Sequence, residues 1–120
     1  MKRPKNFRKI DKVRIGYKSN TYVLGVYSYN HSNADTDYIF IRTLNTTTNL
    51  IFSDEFILMA EIHWPDLSLK LHKVRRGDVT HSSGELGRKQ IAKENVLTLD
   101  SFIEYFKTNI INEFAPILYK

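Results

Sequence analysis

The densest run of chemistry-bearing side chains in this sequence is cationic. Lys70, His72, Lys73, Arg75 and Arg76 crowd one short segment, and Arg88 and Lys89 follow in the next. Such a run can hold phosphate oxygens through charge and N–H donors, with loose preference for sequence. Alternation along a strand would put Lys70 and His72 on one face and leave Arg75 and Arg76 at or beyond the strand end. These seven residues are the candidate surface for nucleic acid or a nucleoprotein partner. The competing reading is a solvated edge whose charges discourage strand-to-strand association.

The four histidines offer less. His31 and His81 lie in polar stretches, and metal-independent nucleases use such pairs for acid–base work. Two-histidine phosphoesterases need His-x-Ser or His-x-Thr twice; His81-Ser82-Ser83 fits once and His31-Ser32-Asn33 does not. Glu61 and His63 share a face only if their segment is a strand, and two ligands do not make a metal site. Asn33, Asp35 and Asp37 alternate as calcium ligands do. However, Tyr38 stands where the EF-hand turn needs Gly, and no Glu closes the loop. Cysteine is absent, which excludes disulfides and thiolate metal sites. There is no Gly-rich phosphate loop, nucleophile elbow or H-E-x-x-H, so neither metal nor cofactor is expected. Ile15-Gly16-Tyr17 and Tyr22-Val23-Leu24-Gly25 depart from the GIY-YIG nuclease pattern in order and spacing, with no catalytic Arg and Glu after them. No family is therefore assigned.

The 120 residues carry 18 Lys and Arg against 13 Asp and Glu, a formal net charge of +5 that favours polyanionic partners. The length suits one domain spanning residues 1–120. Residues 1–11, with Lys2, Arg3, Lys5, Arg8 and Lys9 against Asp11, read as a flexible basic arm. No apolar run approaches the ~20 residues that span a bilayer. The basic N-terminal stretch lacks the apolar core of a secretory signal, so a cytoplasmic location without membrane contact is expected. Lys, Asn, Ile, Tyr and Phe, whose codons are AT-rich, outweigh Ala, Gly and Pro, an association with phages and mobile elements.

The elements that must position these residues read as an α+β domain, an antiparallel sheet of about four to six strands with a helix packed on one face. Leu99, Phe102, Ile103, Phe106, Ile110 and Phe114 recur at steps of three and four, the period of one helical face. Thr98 is placed to cap this helix, Leu97 and Phe102 to staple it, and Pro116 to end it. Strands are expected over residues 12–17, 22–29 (where Tyr27 and Tyr29 share a face able to stack on bases) and 38–44. Another is expected over 67–75, with a short return over 50–52. Residues 53–64 satisfy both periods. Ser53 as a cap, with Pro65 as a stop, favours a helix; the strand alternative makes Pro65-Asp66 a hairpin turn. Residues 79–95 read as a long connection with a helical turn over 88–94.

These features predict a small, basic, non-enzymatic binding protein of a phage or mobile element. It would engage nucleic acid or a host nucleoprotein machine, as an inhibitor in one version. The alternatives are a metal-independent RNase toxin working through His31 or His81, and a virion component that oligomerises through an edge strand.

Overall fold

The computed structural model describes residues 2–4, 7, 13–17, 20–27, 35–43, 56–75 and 78–114. Among the described residues six strands form one antiparallel sheet: β1 (Val13–Tyr17), β2 (Asn20–Tyr27), β3 (Thr36–Thr43), β4 (Phe56–His63), β5 (Ser68–Arg75) and β6 (Asp78–Gln90). Their order in the sheet is their order in the chain. Alternation sorts each strand into two faces. Ile15, Leu24, Ile39, Ile41, Leu58, Ala60, Ile62, Leu69 and Leu71 all turn inward to one core. Among the described residues no helix is long and apolar enough to cross a membrane.

A short 3-10 turn, Lys93–Val96, leads into helix α1, Leu99–Tyr105. Thr98 caps it as the sequence predicts: its hydroxyl accepts from the Ser101 N–H at 3.0 Å, and Ser101 Oγ accepts from the Thr98 N–H at 3.2 Å. The staple does not form, since Leu97 stays 58% exposed. The expected apolar stripe is also redrawn. From Phe106 to Ile111 the helix widens into a π turn before resuming to Phe114. Each wider turn takes in an extra residue, so pairs five apart share a face. Tyr105 and Ile111 join Phe102, Phe106, Ile110 and Phe114 in the core, while Leu99 is 47% exposed. Thr108 Oγ1 and Asn109 Nδ2 bond back to the carbonyls of Glu104 and Tyr105, at 2.9 and 3.2 Å, supporting the widened turn.

Two expectations about the elements fail. Residues 56–63 are strand, not helix, because Ile57 and Met59 are buried on one face and Leu58, Ala60 and Ile62 on the other. Pairing with both β3 and β5 overrides the helical preference of the segment. The β4–β5 connection is the Pro65-Asp66 turn. Asp66 Oδ1 accepts from the Ser68 N–H and Oγ, at 3.0 and 2.8 Å, and Leu67 takes φ of 54°, the left-handed region. Residues 78–90 form a long strand rather than a connection. Its alternation is hidden because the register slips between Leu71 and His72, again between Lys73 and Val74, and again before Arg75. Bulges of this kind twist an edge strand away from further pairing. The predicted strand at 50–52 and the turn before it lie outside the described residues, as do Tyr29 and His31.

The N-terminal segment is docked at Arg3 and Phe7, where the sequence reading has a flexible arm. Asp37, expected in a solvated loop, lies in β3 and is 2% exposed. Its Oδ2 accepts from Trp64 Nε1 at 2.7 Å and pairs with the Arg3 guanidinium. Phe7 packs edge-on against Trp64 and Phe102, with ring centroids 4.6 and 5.1 Å away. Removing one partner of a buried ion pair leaves the other uncompensated. Asp37→Ala should therefore destabilise the fold by about 3–5 kcal/mol. Urea unfolding followed by the fluorescence of Trp64, the single tryptophan, checks this.

Gly87 carries a second constraint. A Cβ there would lie 2.9 and 3.0 Å from two carbons of the buried Phe114 ring. Overpacking of this kind costs about 1–3 kcal/mol, so Gly87→Ala should lower the unfolding midpoint, and pairing it with Phe114→Leu should recover part of the loss.

Candidate functional site

The register distributes the cationic run over both faces of the sheet. Lys70 and His72 share the outer face, as alternation predicts, whereas Lys73 stands opposite Leu58, on the inward-facing set. Lys73 Nζ lies 4.6 Å from the centroid of the Phe56 ring and Arg75 Cζ 5.5 Å from it, so both cations gather on that aromatic side chain. Lys89 ion-pairs with Glu113 of the C-terminal helix and approaches the Phe114 ring at 5.6 Å. Arg76 lies outside the described residues. Of the seven candidates, Lys70 and Arg88 come together: they are direct cross-strand partners in β5 and β6.

Their surroundings form an open groove of about 560 Å³, lined by Glu61, His63, Ser68, Lys70, Arg88 and Gln90 together with Leu69 and Lys89. One row across the outer face runs Tyr38, Glu61, Lys70, Arg88, and the adjoining row runs Thr36, His63, Ser68, Gln90. Arg88 Nε donates to Glu85 Oε1 at 2.9 Å. Among the described residues Lys70 has no ion pair, because the facing Glu61 gives its Oε1 to His72 Nε2 at 3.0 Å. The groove thus sets the Lys70 ammonium and the Arg88 guanidinium beside Ser68 and Gln90, with the Glu61 carboxylate engaged by His72, an arrangement able to hold an anion without metal.

His72 is less available than its place in the cationic run suggests. It is 8% exposed, with Nδ1 3.0 Å from Ser82 Oγ and Nε2 bonded to Glu61. Both ring nitrogens are engaged, and Ser82 Oγ also accepts from the Gly84 N–H at 3.2 Å. His72 therefore locks β4, β5 and β6 together at their outer face, between the groove and the apolar cluster of Ile57, Met59 and Val74. His81 is exposed on β6. Among the described residues no three His, Asp, Glu or Cys gather to hold a metal ion.

In comparisons with known proteins, no family model, curated protein or solved structure matches the chain significantly.

Two features of this region escape the sequence. Arg14 and Arg42 flank Val23 on the outer face of β1–β3, far from the cationic run in the chain. Nothing local marks them, because the pairing of three strands brings them together. His63 forms the second feature. It bonds through Nδ1 to Asp66 Oδ1 at 3.0 Å at the groove's rim. That bond, with those from Ser68, brings the Asp66 carboxyl down from 3.8 to about 2. A carboxyl with a lowered folded-state value stabilises the fold above its ordinary titration range, and the contribution disappears as pH falls through about 2. Carboxyl NMR titration should place Asp66 near that value, and His63→Ala should move it back towards the ordinary range.

Proposed function

We propose that this chain is a small basic binding protein, without catalytic activity, that engages nucleic acid or a nucleoprotein through the outer face of β4–β6. The observation that carries the reading is the groove in which Lys70, lacking a carboxylate partner among the described residues, faces Arg88. Charge supports it: the net charge of +5 favours a polyanion. Tyr38 lies in the same row as Lys70, two strands away across Glu61, within the span of one nucleic-acid strand that stacks a base and places a phosphate. The fixed His72 argues for a rigid platform rather than an acid–base centre. The AT-rich codon bias of the composition supports a phage or mobile-element source.

Each phosphate neutralised steepens the fall of log K with log salt by about 0.9 on duplex and about 0.7 on single strands. Replacing Lys70 and Arg88 with Ala should flatten that slope by roughly 1.4 to 1.8 and weaken binding similarly for all sequences. The fold should survive, because Arg88 is exposed and Lys70 only half-buried, and surface charges of this kind contribute little to stability. Fluorescence anisotropy at ~50 and ~200 mM salt tests this. Absence of binding by the unaltered protein at the lower salt would overturn the reading.

A further inference from the structure

We infer that Arg14 and Arg42 form a second phosphate-binding site, and that one single strand of nucleic acid crosses the outer face from it to the Lys70–Arg88 groove. This rests on the reading of the outer face proposed above and names its ligand more closely. Arg14 pairs with Val23, and Val23 with Arg42, so the two arginines occupy one row with a single strand between them. Neighbouring strands lie about 4.8 Å apart, which puts the two backbones roughly 10 Å apart and both guanidinium groups within reach of one phosphate. Val23 between them is 6% exposed.

The charges of this pair are not balanced from within. Arg3 is paired with Asp37, Arg88 with Glu85, Lys89 with Glu113 and Lys107 with Glu104. Among the described residues Arg14 and Arg42 have no such carboxylate. Like charges so placed on one sheet face repel, and an anion bridging them removes that cost. A phosphate is the anion whose oxygens match two guanidinium groups at once.

The ligand class follows from what lies between the two cationic sites. Phe40 is one row from Arg42 along β3, and Tyr38 one row further, in the row of Lys70 and Arg88. From Arg42 to Lys70 the path is two strands across and four residues along, a diagonal of roughly 16 Å. Tyr38 and Phe40, partly buried against the Ile57, Met59 and Val74 cluster, place aromatic side chains along this path beside Glu61, and an unpaired strand is the form of nucleic acid whose bases can reach them. A duplex would meet the cations with its backbone and leave the aromatic side chains unused.

The test is fluorescence anisotropy with labelled oligo-dT and oligo-U of about 12 nucleotides, and a duplex of matching length, at ~50 and ~200 mM salt. The unaltered protein, R14A/R42A and K70A/R88A are compared, with Trp64 fluorescence confirming the fold. If R14A/R42A does not fold, R14Q/R42Q replaces it. R14A/R42A should weaken single-strand binding tenfold or more, flatten the salt slope by about 1.4, and change duplex binding less. R14K/R42K, which keeps the charge, should recover part of the affinity. Single-strand binding unchanged in R14A/R42A but weakened in K70A/R88A overturns this inference and leaves the groove standing. An unaltered protein that binds no oligonucleotide overturns both, and equal losses on single strand and duplex overturn the assignment to a single strand.

Discussion

The contact between the C-terminal helix and the inner face of the sheet sets the polarity of the molecule. Phe102, Phe106, Ile110, Ile111 and Phe114 meet Leu24, Ile39, Leu58, Ile62 and Leu71 in a single core. One helix has one apolar stripe, and a six-stranded sheet has two faces. The helix is fitted to its half of that problem by two devices, the π turn that brings both Tyr105 and Ile111 inward and the bare backbone at Gly87 beneath Phe114. The opposite face is left to side chains that cover one another and to charge. Arg14, Arg42, Lys70 and Arg88 lie on that face, while Lys89, on the helix side, is drawn into a pair with Glu113.

The Asp37 cluster performs the matching task at one end of the sheet. A buried carboxylate needs donors, and it takes one from the indole of Trp64 and one from Arg3. Phe7 fills the space between Trp64 and Phe102 with edge-on contacts. A residue near the start of the chain is thereby tied to the β4–β5 turn and to the first turn of the helix, joining segments far apart in sequence.

The parts of the fold that could be read directly were those in which one interaction dominates. The cap at Thr98, the alternation in β2 and β5, the continuous apolar run of β3 and the apolar stripe through Phe106 all follow from local pattern. Residues 56–63 could not be separated by pattern, because burial on both faces erases the alternation that distinguishes a strand from a helix. In β6 the slips in register reset the alternation, and an edge strand has few apolar side chains to display it. For the surface, alternation put Lys70 and His72 on one face, but chain order could not show which cations meet across strands. It grouped Lys73 with Lys70 as one cationic run, although an odd number of steps along a strand reverses the side; it had no means of joining Arg14 to Arg42 across β2, or of showing that Glu61 and Ser82 hold His72.

The meander has a consequence for how the chain assembles as it is made. Among the described residues every strand pairs with its neighbours in sequence, and at most twelve residues separate one strand from the next, so each pair can form soon after its second strand appears. The inner cover, however, comes from residues 99–114, which follow all six strands in the chain. Until it emerges, the apolar inner face of up to six strands stands open, and exposed surface of that kind invites association between nascent chains. The slips that twist β6, the strand at the open edge during that interval, therefore protect the unfinished sheet as well as the finished one.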